Sequence, residues 1–531
     1  MKFPFMKDKL RFKKLTEEQK DYIYETYKDT DMTWDDRMSI LKDYTGKSER
    51  TVLKWCADLG FSETKIPEPE QFQKAKLKQY DETKKRFIIT WGQCNTDVHT
   101  KFFNNIKAYG NFIDADIHVI AGRYRNPTSL KAEHGKKHEE VWEDELLPYL
   151  DANRHNIHDY VSILSDIKIQ PTAARPMSSM SAVSGENSCI FGAPKVQMEM
   201  IPVLAGRDPK MMVTTGACTL PNYTNTKAGK KGEFHHTLGF VVVEIKDDER
   251  FYLRQVTATK NGNFNDLFYQ VKNGEVTKND SIAAIILGDI HVGDHDENIL
   301  DKTFNDLMPK LKPKNVILHD IFNGHSISHH EEQDPFKLYE REVDGSNSLK
   351  LEIDNMLEWL EQLADYNVTV VRSNHDDFID RWLKRVDWKK QFKNKLEYIE
   401  YSAALLRGDA PKGIIPYIID QKFPGFTTLD RSSSFKVLDW ELGHHGDIGT
   451  SGSRGSLLQF RRLNTKCVIG HYHAPGRFDG ALAVGTSTKL RLDYNKGASG
   501  WLQSHVIIHH DGKAQHINFI GTQGGYTTFE Y

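Results

Sequence analysis

The stretch Ile282-Ala283-Ala284-Ile285-Ile286-Leu287-Gly288-Asp289-Ile290-His291 joins an unbroken apolar run to a glycine and then to two metal-type side chains two residues apart. A short run ended by Gly and polar residues suits a strand buried on both faces of a layered α/β domain. Ligand sites in such domains gather beyond the carboxyl ends of the strands, where Asp289 and His291 stand. Four runs downstream repeat the pattern. Residues 315–318 precede His319-Asp320, and residues 368–371 lead into Ser373-Asn374-His375-Asp376. Residues 435–442 precede Gly443-His444-His445-Gly446-Asp447, and residues 467–469 precede Gly470-His471-Tyr472-His473.

Where a strand stays extended, residues two apart face the same side, so Asp289 with His291, and His471 with His473, each point two side chains into one crevice. Carboxylate, amide and imidazole ligands form a mixed N/O set that suits Mn, Fe or Zn, and no cysteine enters it. Two ions roughly 3.5–4 Å apart need a bridging ligand, and a carboxylate with two oxygens meets that need; Asp320 is the candidate. A lone Asp-x-His, in a chain with 23 histidines, is ordinarily a loop feature, so the reading rests on the ordered set of five knots.

In that order, Asp289-x-His291, Asp320, Asn374-His375-Asp376, His445-Gly446-Asp447 and Gly470-His471-x-His473 resemble the calcineurin-like metallophosphoesterases, over residues 276–531. The resemblance implies an α/β fold of four layers, two packed β-sheets flanked by helices. It also implies two divalent metal ions. Asp289, His291, Asp320 and His473 would hold one ion, and Asp320, Asn374, His445 and His471 the other. His375 stays uncoordinated and protonates or stabilises the departing oxygen, oriented by Asp376. Two departures stand out: His319-Asp320-Ile321-Phe322-Asn323 replaces the usual Gly-Asp-x-x-Asp, and Ser373 replaces a glycine, so hydrogen bonding near Asn323 is expected to differ. In the fourth motif either His444 or His445 fits as ligand, and His445, followed by Gly446, is preferred. His325, His329 and His330 form a polar cluster expected in a loop near the site.

A chain of 531 residues with 38% hydrophobic content exceeds what one core organises, and two or three domains are expected. Cys56, Cys94, Cys189, Cys218 and Cys467 are scattered without a pairing pattern, which reads as free thiols in a reducing compartment. Residues 1–14 lack the apolar core of a secretory signal, and no stretch reaches the roughly 18 apolar residues of a spanning helix. The expectation is a cytoplasmic protein with no membrane partner. A net charge of −3 excludes a polybasic nucleic-acid binder, so any attraction to DNA is local.

One local candidate lies near the start. The pattern predicts helices over 17–27, 34–44 and 48–59, with Thr45-Gly46-Lys47 as a turn and Ser48 as a cap. Val52, Leu53, Trp55, Cys56 and Leu59 would face a small core, leaving Lys47, Arg50, Thr51 and Lys54 for DNA. A helix-turn-helix places such an amino end in the major groove, although small three-helix units also dock proteins. The expected organisation is a helix-turn-helix-like module at 1–65, a charged linker at 66–85, a middle α/β domain at 86–275 and the phosphoesterase-like domain at 276–531. In the middle domain strands are expected at 86–92, 117–120 and 239–245, with a helix at 98–109. Lys227-Ala228-Gly229-Lys230-Lys231-Gly232 suits a phosphate-contacting loop or, equally, a solvated turn. No Walker-type loop, Gly-x-Ser-x-Gly elbow, internal repeat or low-complexity tract is legible.

The whole layout resembles phage-encoded metallophosphoesterases, in particular the pre-early, host-DNA-degrading nucleases of T-five-like coliphages, related to the SbcD-type repair nucleases. That resemblance implies a metal-dependent DNase using Mn2+, with Mg2+, Fe or Zn as alternatives, acting in the cytoplasm of an infected bacterium and forming a homo-oligomer. The ligand set alone does not identify the ester. A phosphoesterase acting on nucleotides or phosphoproteins is the alternative enzyme. A non-catalytic DNA-binding protein is the alternative outside enzymes, and its signature would be lost ligands.

Overall fold

The computed structural model describes residues 11–29, 31–61, 69–124, 126, 140–329, 331, 334–463, 465–493 and 495–529. It divides into two units, Met1–Glu70 and Gln71–Tyr531.

In the first unit, helices Glu17–Lys28, Trp34–Thr45 and Glu49–Asp58 surround Ile23, Tyr27, Met38, Leu41, Val52, Trp55 and Cys56. Thr16 and Gln19 form a reciprocal capping box, which satisfies two otherwise orphaned backbone donors. Gly46 ends the second helix at φ 64, a left-handed position that glycine adopts without a Cβ clash. Ser48 stands at the third helix's amino end, but its hydroxyl meets that of Thr51 at 3.0 Å and caps no backbone N–H. Arg50 and Lys54 are exposed, Lys47 and Thr51 half-buried. The Lys47 ammonium lies 5.8 Å from the Trp55 ring centre. The expected boundary at residue 65 lies outside the described residues. The expected linker at 66–85 is corrected beyond residue 70: Phe72 and Ala75, on the helix Glu70–Ala75, are buried, and Phe72 stacks on Trp142 at 6.1 Å.

The second unit is α/β, with four mixed or antiparallel sheets among its described residues. One sheet runs Thr427–Thr428, Val368–Val371, Val316–His319, Ala284–Ile286, Ser504–Ile508, Ala514–Asn518; its first four strands are parallel and the last two antiparallel. Side chains alternate across each strand, so one run feeds two cores. Ile286, Ile317, Val371 and Val506 meet Trp440, Val468 and Leu482 of a ten-stranded sheet. Ile285, Val316, Val370 and Ile507 share a core with Ile353, Met356 and Leu360 of the helix Leu349–Glu361. Behind the ten-stranded sheet, Cys467 and Ile469 pack on Phe460 of the short helix Leu457–Phe460. The layering is therefore helix, sheet, sheet, helix.

The ten-stranded sheet takes five strands from residues 154–214 and five from 436–483, joined where Gln197–Ile201 pairs antiparallel with Gly476–Phe478. The first five are covered by a five-stranded sheet in the order Phe251–Thr257, Gly239–Ile245, Arg86–Gln93, Ala115–Gly122, Leu150–Asp151. Apart from the edge strand Thr427–Thr428, the order and direction in this half repeat those of the other among the described residues. Arg86–Gln93 pairs parallel with Ala115–Gly122 and antiparallel with Gly239–Ile245, as Ala284–Ile286 does with Val316–His319 and Ser504–Ile508. In the shared sheet, antiparallel, parallel, parallel and antiparallel pairings follow one another from each outer edge to the central pair.

Three expectations are corrected here. The unit contains an internal repeat, one of topology that the diverged letters do not reveal. The boundary near residue 275 separates no independent domains, because strand pairing crosses it. Residues 227–232 form no loop either; they open the helix Lys227–His235, capped by Thr226.

Ile317 is fully buried between the two sheets. Ile317→Ala should lower unfolding free energy by about 2–5 kcal/mol, read as a reduced urea midpoint. A loss under about 1 kcal/mol would mean that the space between the sheets is not closely packed.

Candidate metal centre

Each knot follows a strand end, but the pleat does not aim the ligands. The strands stop at Ile286, His319, Val371, Glu441 and Ile469. Beyond them His291, Asp320, His471 and His473 take φ of 48, 46, 75 and 54, the left-handed region. Such positions cost non-glycine residues about 1–3 kcal/mol each and persist where surrounding structure over-determines them. The expectation that extended backbone aligns Asp289 with His291 and His471 with His473 is corrected: sharp turns bring them together.

Two groups of ligand atoms result, each lying within 4.8 Å of one another: Asp289, His291, Asp320 and His473, and Asp320, His445 and His471. Asp320 belongs to both. His473 Nε2 lies 3.2 Å from Asp289 Oδ2 and 3.1 Å from His291 Nε2, and His445 Nε2 lies 3.1 Å from both Asp320 Oδ2 and Asn374 Oδ1. His444 stays outside, half-buried beside Phe460. Gly470 permits the closure, since a Cβ there would press on the Asp289 carboxylate and the His319 ring.

The donor set fits cations on two counts. Asp289 Oδ1 and Asp320 Oδ1 are buried without a hydrogen-bond partner among the described residues, and buried carboxylates left so are costly unless a cation compensates them. Burial disfavours charge on His445, yet Asp320 and Asp289 hold its proton up to about 9, at the point where an ion would otherwise balance them. Burial pushes His291 down to about 3 and also lowers His471, leaving both neutral for ligation.

His375 sits against the groups, its ring 4.5 Å from that of His291, and it stacks on Phe378. Its expected orientation by Asp376 is corrected. His375 Nδ1 lies 2.6 Å from the Asn323 carbonyl, which accepts its N–H, while Asp376 Oδ2 accepts the Ser373 N–H at 2.8 Å. Burial raises the Asp376 carboxyl to about 7, and its contact secures the turn that carries Asn374. Asn323 in turn donates its side-chain amide to Asp294 at 2.8 Å, and His325 Nε2 reaches the same carboxylate at 2.9 Å. His329 packs edge-on to Phe378, and His330 lies outside the described residues.

Sequence reasoning missed Asp294, Arg454 and Trp501. Asp294, three residues past His291, carried a usable signal; the other two lie in Gly- and Ser-rich stretches that carried none. A cavity of about 270 Å³ over the ligands is lined by Asp320, His375, Arg454, His471, His473 and Trp501 among others, and the Trp501 ring lies 4.1 Å from that of His473.

Among the described residues, the repeated half has no such centre at the equivalent strand ends. Bridges Asp289↔Thr486↔Gln503 recur as Trp91↔Ala217↔Leu238, which places Trp91 at the counterpart of Asp289. Strand registers then put Ile120 opposite His319, Ala121 opposite Asp320, Ala193 opposite His471 and Lys195 opposite His473. The Trp91 ring fills this space, close enough to Gly122 and Gly192 that neither tolerates a Cβ. A third group that could hold an ion lies elsewhere in this half, His118, Asp151 and His155, with His118 Nδ1 2.7 Å from Asp151, His118 Nε2 3.0 Å from Asp116 and His155 Nε2 2.9 Å from Asp151.

Fold and centre together define a layered α/β protein with buried Asp/His groups able to hold metal ions. No family model matches the chain. Protein A1 of Escherichia phage T5 is 31% identical to it over 463 residues, 82% of each chain, and the chain belongs to that phage protein family. One solved crystal structure aligns with 44% of this chain and 98% of its own at 9% identity and a TM-score of 0.25, too weak to define a fold. Among the described residues no helix is long and apolar enough to cross a membrane.

Asp320→Ala removes the carboxylate common to both groups. Metal content after loading with Mn2+, measured by elemental analysis, should fall; full retention would remove Asp320 from the shared role.

Proposed function

We propose that the protein is a two-metal DNase hydrolysing phosphodiester bonds, built as a calcineurin-like metallophosphoesterase of the SbcD-type branch and encoded by a phage to degrade host DNA in the infected cell's cytoplasm. The observation that carries the reading is the pair of ligand groups sharing Asp320 beneath a cavity that also holds His375 and Arg454. Two divalent ions, Mn2+ first among candidates, would supply Lewis-acid charge to the phosphodiester and its attacking water. Asp289, His291, Asp320 and His473 would hold one, and Asp320, Asn374, His445 and His471 the other.

The chain's own groups supply the remainder. His375 gives its Nδ1–H to the Asn323 carbonyl, so Nε2 is the nitrogen left to pass a proton to the departing oxygen. Arg454, exposed at the cavity, matches the non-bridging phosphate oxygens with its planar fork. DNA as substrate is supported by the three-helix unit, which leaves Arg50 and Lys54 exposed on its third helix beside Lys47 and Thr51. A homo-oligomer belongs to the proposal: Phe336, Tyr339 and Val343 are exposed along one face of the helix Pro335–Asp344.

Incubation with plasmid, a mononucleotide diester and a phosphopeptide, each with Mn2+ or EDTA, tests the substrate class. Metal-dependent loss of plasmid supports the DNase, and action on the phosphopeptide alone refutes it. His375→Ala should keep its metal while cutting DNA about 10²–10⁴-fold more slowly. Metal loss as severe as in Asp320→Ala would instead make His375 a ligand. Deleting residues 1–65 should spare the small diester and weaken DNA cutting, increasingly so as salt rises. Unchanged DNA cutting across salt would assign the unit to another partner.

A further inference from the structure

We propose that a second, metal-independent site, at the seam between the repeated halves, binds a phosphate-bearing anion of nucleotide size. A cavity of about 530 Å³ opens there, lined by Phe234, His235 and Thr257 from the first half and by Trp440, Arg477 and Lys513 from the second, among others. Its volume falls within the usual range of small-molecule pockets. Lys466 lines it at the start of the strand Lys466–Ile469, whose other end leads to His471, so the cavity lies at the opposite end of that strand from the metal groups.

The floor demands a counter-charge. Arg477 is 8% exposed and has no hydrogen-bond or ion-pair partner among the described residues, with Nε wholly buried and unsatisfied. Burial alone pulls its guanidinium down to about 10, with no carboxylate to oppose the shift, yet it remains cationic at neutral pH. The Lys513 ammonium also lacks a carboxylate partner among the described residues, and burial followed by the charges of Lys466 and Arg477 lowers it. Thr257 Oγ1 is a further buried, unsatisfied polar atom. The carboxylate that lines the cavity, Asp479, is already shared by Lys195 at 2.6 Å, His235 at 3.4 Å and Arg461 at 3.9 Å.

The repeat supplies an internal control. Arg477 pairs with Leu482 and Met198 with Val213, equivalent positions in the two halves, so Met198 is the counterpart of Arg477 and also its cross-strand neighbour. One half buries a neutral thioether at this position, the other an uncompensated cation. A buried unpaired charge is costly to a fold, so the asymmetry is intelligible when an anion completes the site. A guanidinium fork beside an ammonium and a hydroxyl matches phosphate oxygens, and Phe234, 83% exposed at the rim, offers a planar surface to a base.

The site is independent of the hydrolase proposal and is tested in EDTA with the full chain. Titration calorimetry with pyrophosphate and with dAMP should give saturable binding at one site per chain, accompanied by a rise in Tm. Arg477→Met, which installs the counterpart residue, should raise the Tm of the ligand-free protein and weaken binding roughly tenfold or more. Lys513→Met, which leaves Arg477 in place, should weaken binding as well. Asp320→Asn should leave it unchanged. Absence of binding to either anion, binding to duplex oligonucleotide alone, or binding lost in Asp320→Asn and kept in Arg477→Met would overturn the proposal.

Discussion

The negative charge on Asp320, buried at the meeting point of two ligand groups, is the constraint to which the rest of the second half answers. Burial opposes that charge, and the neighbouring His445, His375 and His291 hold the carboxyl well below its usual range in spite of it. A desolvated carboxylate of this kind is tolerable only inside a cage of partners at fixed distance. The cage comes from five separate strand ends, so its precision depends on how firmly the two sheets are locked. Interdigitated Ile286, Ile317, Val371, Val468 and Leu482 provide that lock directly beneath the ligands. Left-handed backbone at four ligands is sustained by the same packing.

The repeated half shows the same scaffold released from that constraint. With Trp91 where Asp289 would stand and Ala121 where Asp320 would stand, the strand ends close over an apolar filling. Shared strand order therefore serves two ends: one half carries ligands, and the other extends the shared sheet and gives it a second covered face. The seam is where the halves cease to be equivalent. Met198 and Arg477 face each other across the central antiparallel pair, and the cavity beside them is lined from both halves, with its Lys and Arg side chains all from the second.

A hydrogen-bonded chain lies behind His375. Asn323 offers its backbone carbonyl to His375 and its side-chain amide to Asp294, whose carboxylate also takes His325. Ser373 donates its backbone N–H to Asp376 Oδ2 and its hydroxyl accepts the Asp376 N–H, a reciprocal pair that holds the turn presenting Asn374.

What the letters determined by themselves were the features set by local chemistry. Apolar runs at 284–286, 316–319 and 368–371 declare buried strands, because no other short element keeps both faces apolar. The ligand types follow each run directly, so their identities and order were legible, as were the three helices near the start, whose caps and glycine turn lie in adjacent residues. Features that join distant segments were decided by tertiary structure. The pairing of Gln197–Ile201 with Gly476–Phe478, the repeat it completes, and the choice of the Asn323 carbonyl over Asp376 as the partner of His375 all depend on three-dimensional proximity. Topology is conserved through hydrogen bonds of the backbone, which leave no mark on side-chain letters. The left-handed turns that aim the ligands are likewise imposed by packing on residues that do not prefer them, and no local signal encodes them.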